Sequence, residues 1–378
     1  MSGMEFEYVK EAFETNWIAP VGPHINRFEE KISNWAQNQS VAALSSGTAA
    51  IHLGLILAGV GPGDVVICQS LTFSASANPI KYLGANPVFV DSEMDTLNMC
   101  PVELEKAIIA ALEGTLKNEN GEKIKAQLPK TIIPVHLYGM PAKMGEISSI
   151  AANYGIPILE DAAEAIGSTL DKKPCGTFGK FGVFSFNGNK IITTSGGGAL
   201  VSSDAQLIQR ARFLSTQARE DAVHYEHKAV GYNYRLSNVS AAIGIGQMEV
   251  LSDRVNQRRA NYDLYRKELS SIPGISFIKE PSGYFSNRWL TTIMVDPIRT
   301  NGVSREDLRL GLEKFAIESR PIWKPMHLQP IFESAPFFGK DRISDRIFEI
   351  GLCLPSGSNL SEEDLQFVIE KIKNLLYK

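Results

Sequence analysis

Five short apolar segments separated by helical segments constrain the fold of this chain more than any other feature. They lie at residues 65–73, 87–93, 131–139, 156–162 and 181–186, and each has the length and residue types of a buried β-strand. Strands that alternate with helices form βαβ units, whose strands run parallel. The sequence therefore predicts an α/β fold built on a mostly parallel sheet.

The chain is long enough for more than one domain. Its 378 residues are 44% hydrophobic and can bury a large core. A single long helix is predicted over residues 237–269, after the alternating region, and it leads into a part that mixes short strands with helices. We therefore predict an N-terminal helix and arm over residues 1–20, a large domain over 21–245 and a smaller C-terminal domain over 246–378.

One lysine, Lys190, is predicted to lie in a turn between two strands. The first strand is bounded by Gly182 and Gly188, and the second resumes at Val201 after the glycines at 196–198. Such small neighbours leave room for a small molecule to approach the amine. Most loop lysines are solvated surface cations, so the position alone does not establish a function.

A carboxylate, Asp161, is expected at the same edge of the sheet. The predicted strand from Ile156 to Leu159 ends in Glu160 and Asp161, and ligands of open α/β sheets bind beyond the carboxyl ends of strands. Taken alone, this aspartate could equally cap a helix. An amine and a carboxylate at two strand ends are what pyridoxal phosphate needs, because the lysine forms a Schiff base and the aspartate pairs with the protonated pyridine nitrogen.

Hydroxyl groups and a glycine at residues 45–48 precede an alanine-rich helical segment. Free N–H groups at a helix N-terminus bind anions, although Ser-Gly-Thr is also an ordinary capping sequence. An anion site, then an aspartate at a strand end, then a lysine before a glycine cluster, in that order, favour pyridoxal phosphate as the cofactor.

Longer motifs extend this interpretation to nearly the whole chain. They are NWIAPVGP (16–23), SGTAA (46–50), VHLYG (135–139), EDAAEAIGS (160–168), SFNGNKIITTSGGGAL (185–200), GYNYRLSN (231–238) and RPIWKPMHLQP (320–330). Through them the chain resembles the DegT/DnrJ/EryC1/StrS-type sugar aminotransferases, which have fold type I of the pyridoxal-phosphate enzymes. The resemblance implies an aspartate aminotransferase-like fold, with a mostly parallel seven-stranded sheet between helices and a smaller C-terminal α+β domain.

The resemblance also implies roles for individual residues. Lys190 is the expected catalytic residue, which carries the cofactor and transfers protons. The expected cofactor-binding residues are Gly47, Thr48 and Ser185 at the phosphate, Phe73 against the ring, Asp161 at the pyridine nitrogen, Glu164 near the ring hydroxyl, and Asn233 from a second subunit. The expected substrate-binding residues are Asn16, Trp17, Glu164, Asn187 and His327, with His227 as a further candidate. Phe73 could also be a core residue, Trp17 could pack under the arm, and Asn233 could be a turn residue.

A subfamily is indicated by the loop after the lysine, where many relatives carry an acidic residue and this chain has Ser195 and three glycines. That loop, with STQARE (215–220), HYEH (224–227) and SNRWL (286–290), most resembles the 4-aminotransferases of the bacillosamine pathway. The implied substrates are UDP-4-keto-6-deoxy-N-acetylglucosamine and L-glutamate, with pyridoxamine phosphate as the intermediate cofactor form and a homodimer as the assembly. Amination of another nucleotide-linked keto-sugar, at C3 or of the GDP-perosamine type, and a non-catalytic regulator remain alternatives.

Composition excludes several other classes. A net charge of −4 and a pI near 6.0 give no basic surface for nucleic acid or an anionic membrane. The four cysteines are far apart and the six histidines lack metal-ligand spacing, so reduced thiols, no metal site and a cytoplasmic location are expected. The segment at residues 45–48 lacks the G-x-G-x-x-G of nicotinamide enzymes, and Lys190 argues against the related sugar dehydratases, which have histidine there.

Overall fold

The structure is a computed structural model that describes residues 1–118 and 120–377. The helices are α1 (Glu5–Glu14), α2 (Pro23–Trp35), α3 (Gly47–Leu57), α4 (Asn78–Tyr82), α5 (Pro101–Glu113), α6 (Met144–Tyr154), α7 (Ala205–Ser215), α8 (Asn238–Glu249), α9 (Leu251–Leu269), α10 (Arg305–Glu313), α11 (Ile343–Ile350) and α12 (Glu362–Leu376). The strands are β1 (Ser40–Leu44), β2 (Val65–Gln69), β3 (Asn86–Val90), β4 (Thr131–Ile133), β5 (Leu159–Asp161), β6 (Thr169–Leu170), β7 (Lys173–Pro174), β8 (Phe181–Ser185), β9 (Gly198–Ser202), β10 (Ile275–Phe277), β11 (Tyr284–Phe285), β12 (Thr291–Val295), β13 (Arg320–Pro321), β14 (Phe337–Phe338) and β15 (Gly351–Leu354).

Seven strands form the main sheet in the order β1-β9-β8-β5-β4-β2-β3. Two hydrogen-bonded groups of strands meet at β5 and β4, which are joined by parallel bridges from Ile132 to Ile158 and from Val135 to Asp161. β9 runs antiparallel to both of its neighbours, and the other pairs in the sheet are parallel. This architecture confirms the predicted α/β fold with a mostly parallel seven-stranded sheet.

Helices cover both faces of this sheet, and the alternation of side chains along each strand explains why. Val41 and Ala43 of β1 belong to a core cluster that includes residues of α2 and α8. The intervening Ala42 and Leu44 belong to a second cluster that includes residues of α3 and α7. Successive side chains of a strand point to opposite faces, so a strand buried on both faces is apolar at every position.

The C-terminal part has its own antiparallel sheet, in the order β10-β12-β15-β13. Apolar residues of β12 and β15 pack with residues of α9, α10 and α12 in one cluster. This arrangement confirms the smaller C-terminal α+β unit. One short strand from this half, β14, leaves the unit and pairs in parallel with β3 at the edge of the main sheet.

The prediction of one helix over residues 237–269 is wrong. The helix breaks at Val250, whose φ of −111° and ψ of 13° lie outside the helical region, and α8 and α9 are separate. The two halves have different packing partners, because α8 packs against α1 and α2 whereas α9 packs against α12. The predicted division into domains near residue 245 stays a prediction, and that position lies within α8.

Candidate active site

A cavity of about 1240 Å³ lies at the carboxyl ends of β1, β2, β5 and β8. Loops that follow parallel strands meet at this edge, so residues far apart in sequence line one space. Eight of the predicted site residues line it: Gly47, Thr48, Phe73, Asp161, Glu164, Ser185, Asn187 and Lys190. The structure thus brings together the anion site, the carboxylate and the lysine.

Lys190 lies in the loop between β8 and β9, as predicted, but it is not a solvated surface cation. Its side chain is 11% exposed, and its Nζ lies 3.1 Å from Oε1 of Glu164. The same Nζ lies 4.1 Å from the ring centroid of Trp289. A buried carboxylate and an aromatic face therefore hold the amine at the cavity wall.

Glu164 is the buried partner of this lysine. Its second oxygen, Oε2, accepts a hydrogen bond of 2.7 Å from the backbone N–H of Tyr138. Burial raises the pKa of the Glu164 carboxyl, and the Lys190 amine and the Tyr138 N–H oppose that rise. Because the N–H and the amine both favour the charged form, Glu164 can serve as the counter-ion of Lys190.

Asp161 is the last residue of β5, at the strand end where it was predicted, although the strand begins at Leu159 and not at Ile156. Its Oδ2 accepts a 2.5 Å hydrogen bond from the Ser76 hydroxyl, which is also 2.7 Å from the Thr72 hydroxyl. Its Oδ1 accepts from the N–H of Ala163 within a turn, and no helix begins there. The alternative role as a helix cap is therefore wrong, and the carboxylate faces the cavity.

The neighbouring Glu160 has a different role because it points to the other face of β5. Its carboxylate is fully buried and accepts backbone hydrogen bonds from Gly176, Phe178 and Gly179. It also lies 3.0 Å from Nε2 of His136. Strand alternation thus separates a structural carboxylate from the one in the cavity.

The predicted anion site is the N-terminus of α3. Ser46 is its N-cap, and the Ser46 hydroxyl accepts a hydrogen bond from the N–H of Ala49. A Cβ at Gly47 would lie 3.1 Å from Cβ of Ser185, and a Cβ at Gly198 would lie 2.5 Å from the nitrogen of Gly47. The glycines let the end of β8, the start of β9 and this helix approach closely, so N–H and hydroxyl donors converge.

Phe73 follows β2 and is 55% exposed at the wall of the cavity. Its ring centroid is 5.5 Å from that of Trp323. The alternative that Phe73 is a core residue is wrong. A ring that stands free on one side is available for stacking against a planar ligand.

Other predicted residues are not brought to this cavity. Within the described residues, its lining excludes Asn16, Trp17, His227, Asn233 and His327. Asn16 and Trp17 follow α1, and the Trp17 carbonyl accepts a hydrogen bond from the side chain of Asn238. Asn233 is exposed and forms an isolated bridge with Thr216. These residues contribute nothing to the cavity of their own chain.

His327 is held in a separate buried network. Its Nδ1 lies 2.7 Å from the Ser70 hydroxyl, and its Nε2 lies 2.9 Å from Asp345. Its ring stacks on Phe337 with a centroid separation of 3.7 Å. Burial lowers the pKa of His327, and Asp345 opposes that effect. The structure therefore explains this histidine as a packed residue that contacts the loop after β2.

Sequence reasoning missed several residues of the site. Trp289 and Trp323 line the cavity, Tyr138 contacts Glu164 and Ser76 contacts Asp161. Trp289, Trp323 and Tyr138 lie within motifs on which the family resemblance rests. That resemblance is the one signal in the sequence that could have identified them. Ser76 lies in no such motif, and only the fold shows its contact with Asp161.

The residues present fit pyridoxal phosphate. The buried Asp161 carboxylate at the end of one strand suits the ring nitrogen of the cofactor, and the Lys190 amine after another strand suits its carbonyl carbon. The N–H and hydroxyl donors that converge at the N-terminus of α3 suit its phosphate. The described residues contain no group of histidine, cysteine or acidic side chains suited to a metal ion. The cysteines at 68, 100, 175 and 353 are free thiols.

The sequence profile of the DegT/DnrJ/EryC1/StrS aminotransferase family matches residues 1–373. The chain belongs to this family. Like other DegT/DnrJ/EryC1/StrS proteins it is a pyridoxal-phosphate-dependent aminotransferase, which confirms the predicted enzyme class and cofactor. In the part of the chain that the structure describes, no helix has the length and apolar character needed to span a membrane.

Relatives of this DegT/DnrJ/EryC1/StrS aminotransferase match along its whole length. EpsN of Bacillus subtilis strain 168, which carries a provisional description as a pyridoxal phosphate-dependent aminotransferase, is 50% identical over 100% of this chain and 94% of its own. A GDP-perosamine synthase of Escherichia coli O157:H7 is 36% identical over 98% and 95%. The crystal structure of a family member from Brucella abortus has a TM-score of 0.90 at 29% identity, over 100% and 96% of the two chains.

Proposed function

We propose that this enzyme transfers the amino group of L-glutamate to C4 of a nucleotide-linked 4-keto-6-deoxy sugar. The proposed sugar is UDP-2-acetamido-2,6-dideoxy-4-hexulose, and the product is a 4-amino sugar for a surface glycan or for protein glycosylation. The observation that carries the proposal is the position of the Lys190 amine, 3.1 Å from the buried Glu164 carboxylate in the cavity that also contains Asp161.

Pyridoxal phosphate, when bound, supplies an electron sink that acidifies the proton on the carbon bearing the amino group. Asp161, supported by the Ser76 hydroxyl, holds a proton at the ring nitrogen. Gly47, Thr48 and Ser185 bind the phosphate at the N-terminus of α3. Lys190 accepts the proton from the donor carbon and returns a proton to C4 of the sugar.

Glu164 acts beside the lysine. Its carboxylate keeps the amine directed into the cavity, and the backbone N–H of Tyr138 keeps the carboxylate in position. The cavity is large enough for both a cofactor and a sugar substrate, because ligand pockets in proteins are typically about 300–1,000 Å³ and this one is about 1240 Å³. Asn187 lies at its wall and is proposed to contact the sugar.

A second candidate substrate is the GDP-linked 4-keto sugar that amination converts to GDP-perosamine. It is supported by the 36% identity to a GDP-perosamine synthase over nearly the whole chain. Both candidates require the same chemistry at C4. They differ in the nucleotide and in the substituent at C2 of the sugar.

We also propose a homodimer in which each subunit completes the other's site. Asn233 is exposed and outside the cavity of its own chain, and Val223, Tyr225 and Val230 nearby expose apolar side chains. Such a segment is suited to burial against a second copy, where Asn233 would reach the cofactor phosphate. Roles for Asn16 and Trp17 at the substrate rest on the family resemblance, whereas the contacts of His327 with Ser70 and Asp345 hold it outside the cavity. The free thiols favour a cytoplasmic location.

A visible absorption titration tests these proposals. The purified protein receives pyridoxal phosphate, then L-glutamate, then either the UDP-linked or the GDP-linked 4-keto sugar, with K190A as the control. We expect glutamate to bleach the band of the lysine-bound cofactor and the UDP sugar to restore it, in the wild type only. Restoration by the GDP sugar alone would establish the second candidate. A wild-type protein without a lysine-bound band, or without a cofactor adduct on Lys190 after borohydride reduction, would contradict the proposal.

A further inference from the structure

Trp289 makes two different contacts with the lysine loop. The face of its indole ring lies 4.1 Å from Nζ of Lys190, and its Nε1–H donates a hydrogen bond of 2.8 Å to the carbonyl of Asn189. Trp289 lies just before β12, which belongs to the antiparallel sheet of the C-terminal part. Trp289 of the C-terminal part therefore contacts both the Lys190 side chain and the neighbouring backbone, which follow strand β8 of the main sheet.

The indole itself is held rigidly. Trp289 is 2% exposed, and its ring centroid lies 6.0 Å from that of Tyr138 and 6.2 Å from that of Trp323. Its backbone N–H donates to the side chain of Asn287, and its carbonyl accepts from the guanidinium of Arg258. The ring face is therefore directed at the lysine before any ligand binds.

We propose that Trp289 is a positioning residue for Lys190, which holds the amine against its ring face whenever that amine is free of the cofactor. The inference rests on the proposed role of Lys190. In the proton transfer proposed for Lys190, the carbon–hydrogen bond of the amino donor would break, its electron pair would be taken up by the electron sink that bound pyridoxal phosphate supplies, and the proton would form an N–H bond on Nζ. The resulting ammonium lies over the indole, where the ring quadrupole stabilises its charge.

This role differs from simple packing because it depends on the charged side chain at position 190. A packing residue stabilises the fold whatever stands at position 190, whereas a cation–π contact requires the ammonium. Cation–π contacts of partly desolvated ammonium groups change equilibria by about 2- to 30-fold. Removal of the ring should therefore slow proton abstraction by about that factor, without preventing the cofactor from binding.

The first measurement is the primary isotope effect on the glutamate half-reaction. Stopped-flow absorbance records the rate of this half-reaction with protonated and with α-deuterated glutamate. W289L removes the ring face and the N–H, and W289F keeps a ring face but removes the N–H. We expect W289L to slow the deprotonation step by about 2- to 30-fold and to increase the isotope effect. We expect W289F to fall between W289L and the wild type.

The second measurement uses cofactor-free protein and does not involve activity. A double-mutant cycle combines W289L with K190M and follows urea unfolding. We expect W289L to change the unfolding equilibrium by about 2- to 30-fold more in the Lys190 background than in the K190M background. The matched control is W35L, because Trp35 packs edge-to-face on Phe184, and it should show no such coupling to position 190.

The inference requires both results. An unchanged isotope effect in W289L, or equal destabilisation by W289L in the two backgrounds, would reduce Trp289 to a packing residue and overturn the proposal. Its failure is distinct from failure of the proposed function, because borohydride reduction of the wild type tests attachment of the cofactor to Lys190 independently.

Discussion

Substitution of Gly198 by alanine should damage the phosphate end of the active site. A Cβ at this position would lie 2.4 Å from the carbonyl carbon of Ser46, the N-cap of α3, whereas an ordinary contact begins at 3.4 Å. The helix terminus must therefore move by about 1 Å, and overpacking of this kind costs about 1–3 kcal/mol. A displacement of that size would break the hydrogen bond that the N–H of Gly47 is proposed to donate to the cofactor phosphate.

The expected effect on cofactor affinity follows from that lost bond. Hydrogen bonds to charged groups are worth about 1.5–3 kcal/mol, so G198A should bind pyridoxal phosphate about 10- to 150-fold more weakly. Absorbance titration of the cofactor-free protein measures this affinity, and urea unfolding measures the change in stability. G188A is the matched control, since the nearest atom to its Cβ would be 3.8 Å away and the residue does not line the cavity.

Equal cofactor affinity of G198A and G188A, despite a loss of stability in G198A, would refute this reasoning. It would mean that the phosphate does not contact the N-terminus of α3. Loss of both stability and affinity in G188A would instead show that the lysine loop tolerates no added methyl group. The close contact at Gly198 would then not be the specific cause of the weaker cofactor binding.

Two further predictions concern carboxylates. S76A removes the hydroxyl that donates to Asp161 and should lower kcat/KM for the glutamate half-reaction about 10-fold or more, whereas T72V keeps that bond and should stay within a few-fold of the wild type in the same assay. Burial opposes ionisation of Glu5, but hydrogen bonds from the N-terminal backbone and from Gln247 lower the pKa of Glu5 to about 2. Because the pKa of Glu5 lies below its ordinary value of 4.5, the stability that its charged form contributes is present above pH 4.5. The stability of the wild type relative to E5Q should therefore fall as pH decreases from 4.5 towards 2, as urea unfolding across that range would measure. A difference between the two proteins that does not change with pH would contradict this assignment.

The sequence allowed the sheet and three parts of the site to be predicted, for identifiable reasons. Apolar runs bounded by glycine showed where strands end, and in parallel sheets strand ends meet at one edge. Asp161 and Lys190 could therefore be expected near each other although 29 positions separate them in the sequence. Ser46 could be expected as a cap because its hydroxyl precedes a helical pattern.

Other features depend on contacts between distant residues, which periodicity does not reveal. Asn189 and Trp289 are 100 residues apart, and nothing local to either indicates the hydrogen bond between them. The break at Val250 follows from two different packing surfaces, while the local pattern of helix-forming residues continues across it. The different roles of Glu160 and Asp161 depend on distant partners, because Glu160 accepts hydrogen bonds from the backbone of Gly176 and Asp161 accepts one from Ser76.

The strand β14 has a consequence for how this protein can be divided. Its two residues, Phe337 and Phe338, pair with Phe89 and Val90 of β3 and cover the outer edge of the main sheet. A fragment that ended near residue 245 would leave that edge, with its unpaired N–H and C=O groups, open to other chains. The predicted boundary between domains is therefore not a safe point of truncation, and such a fragment is expected to self-associate through β3.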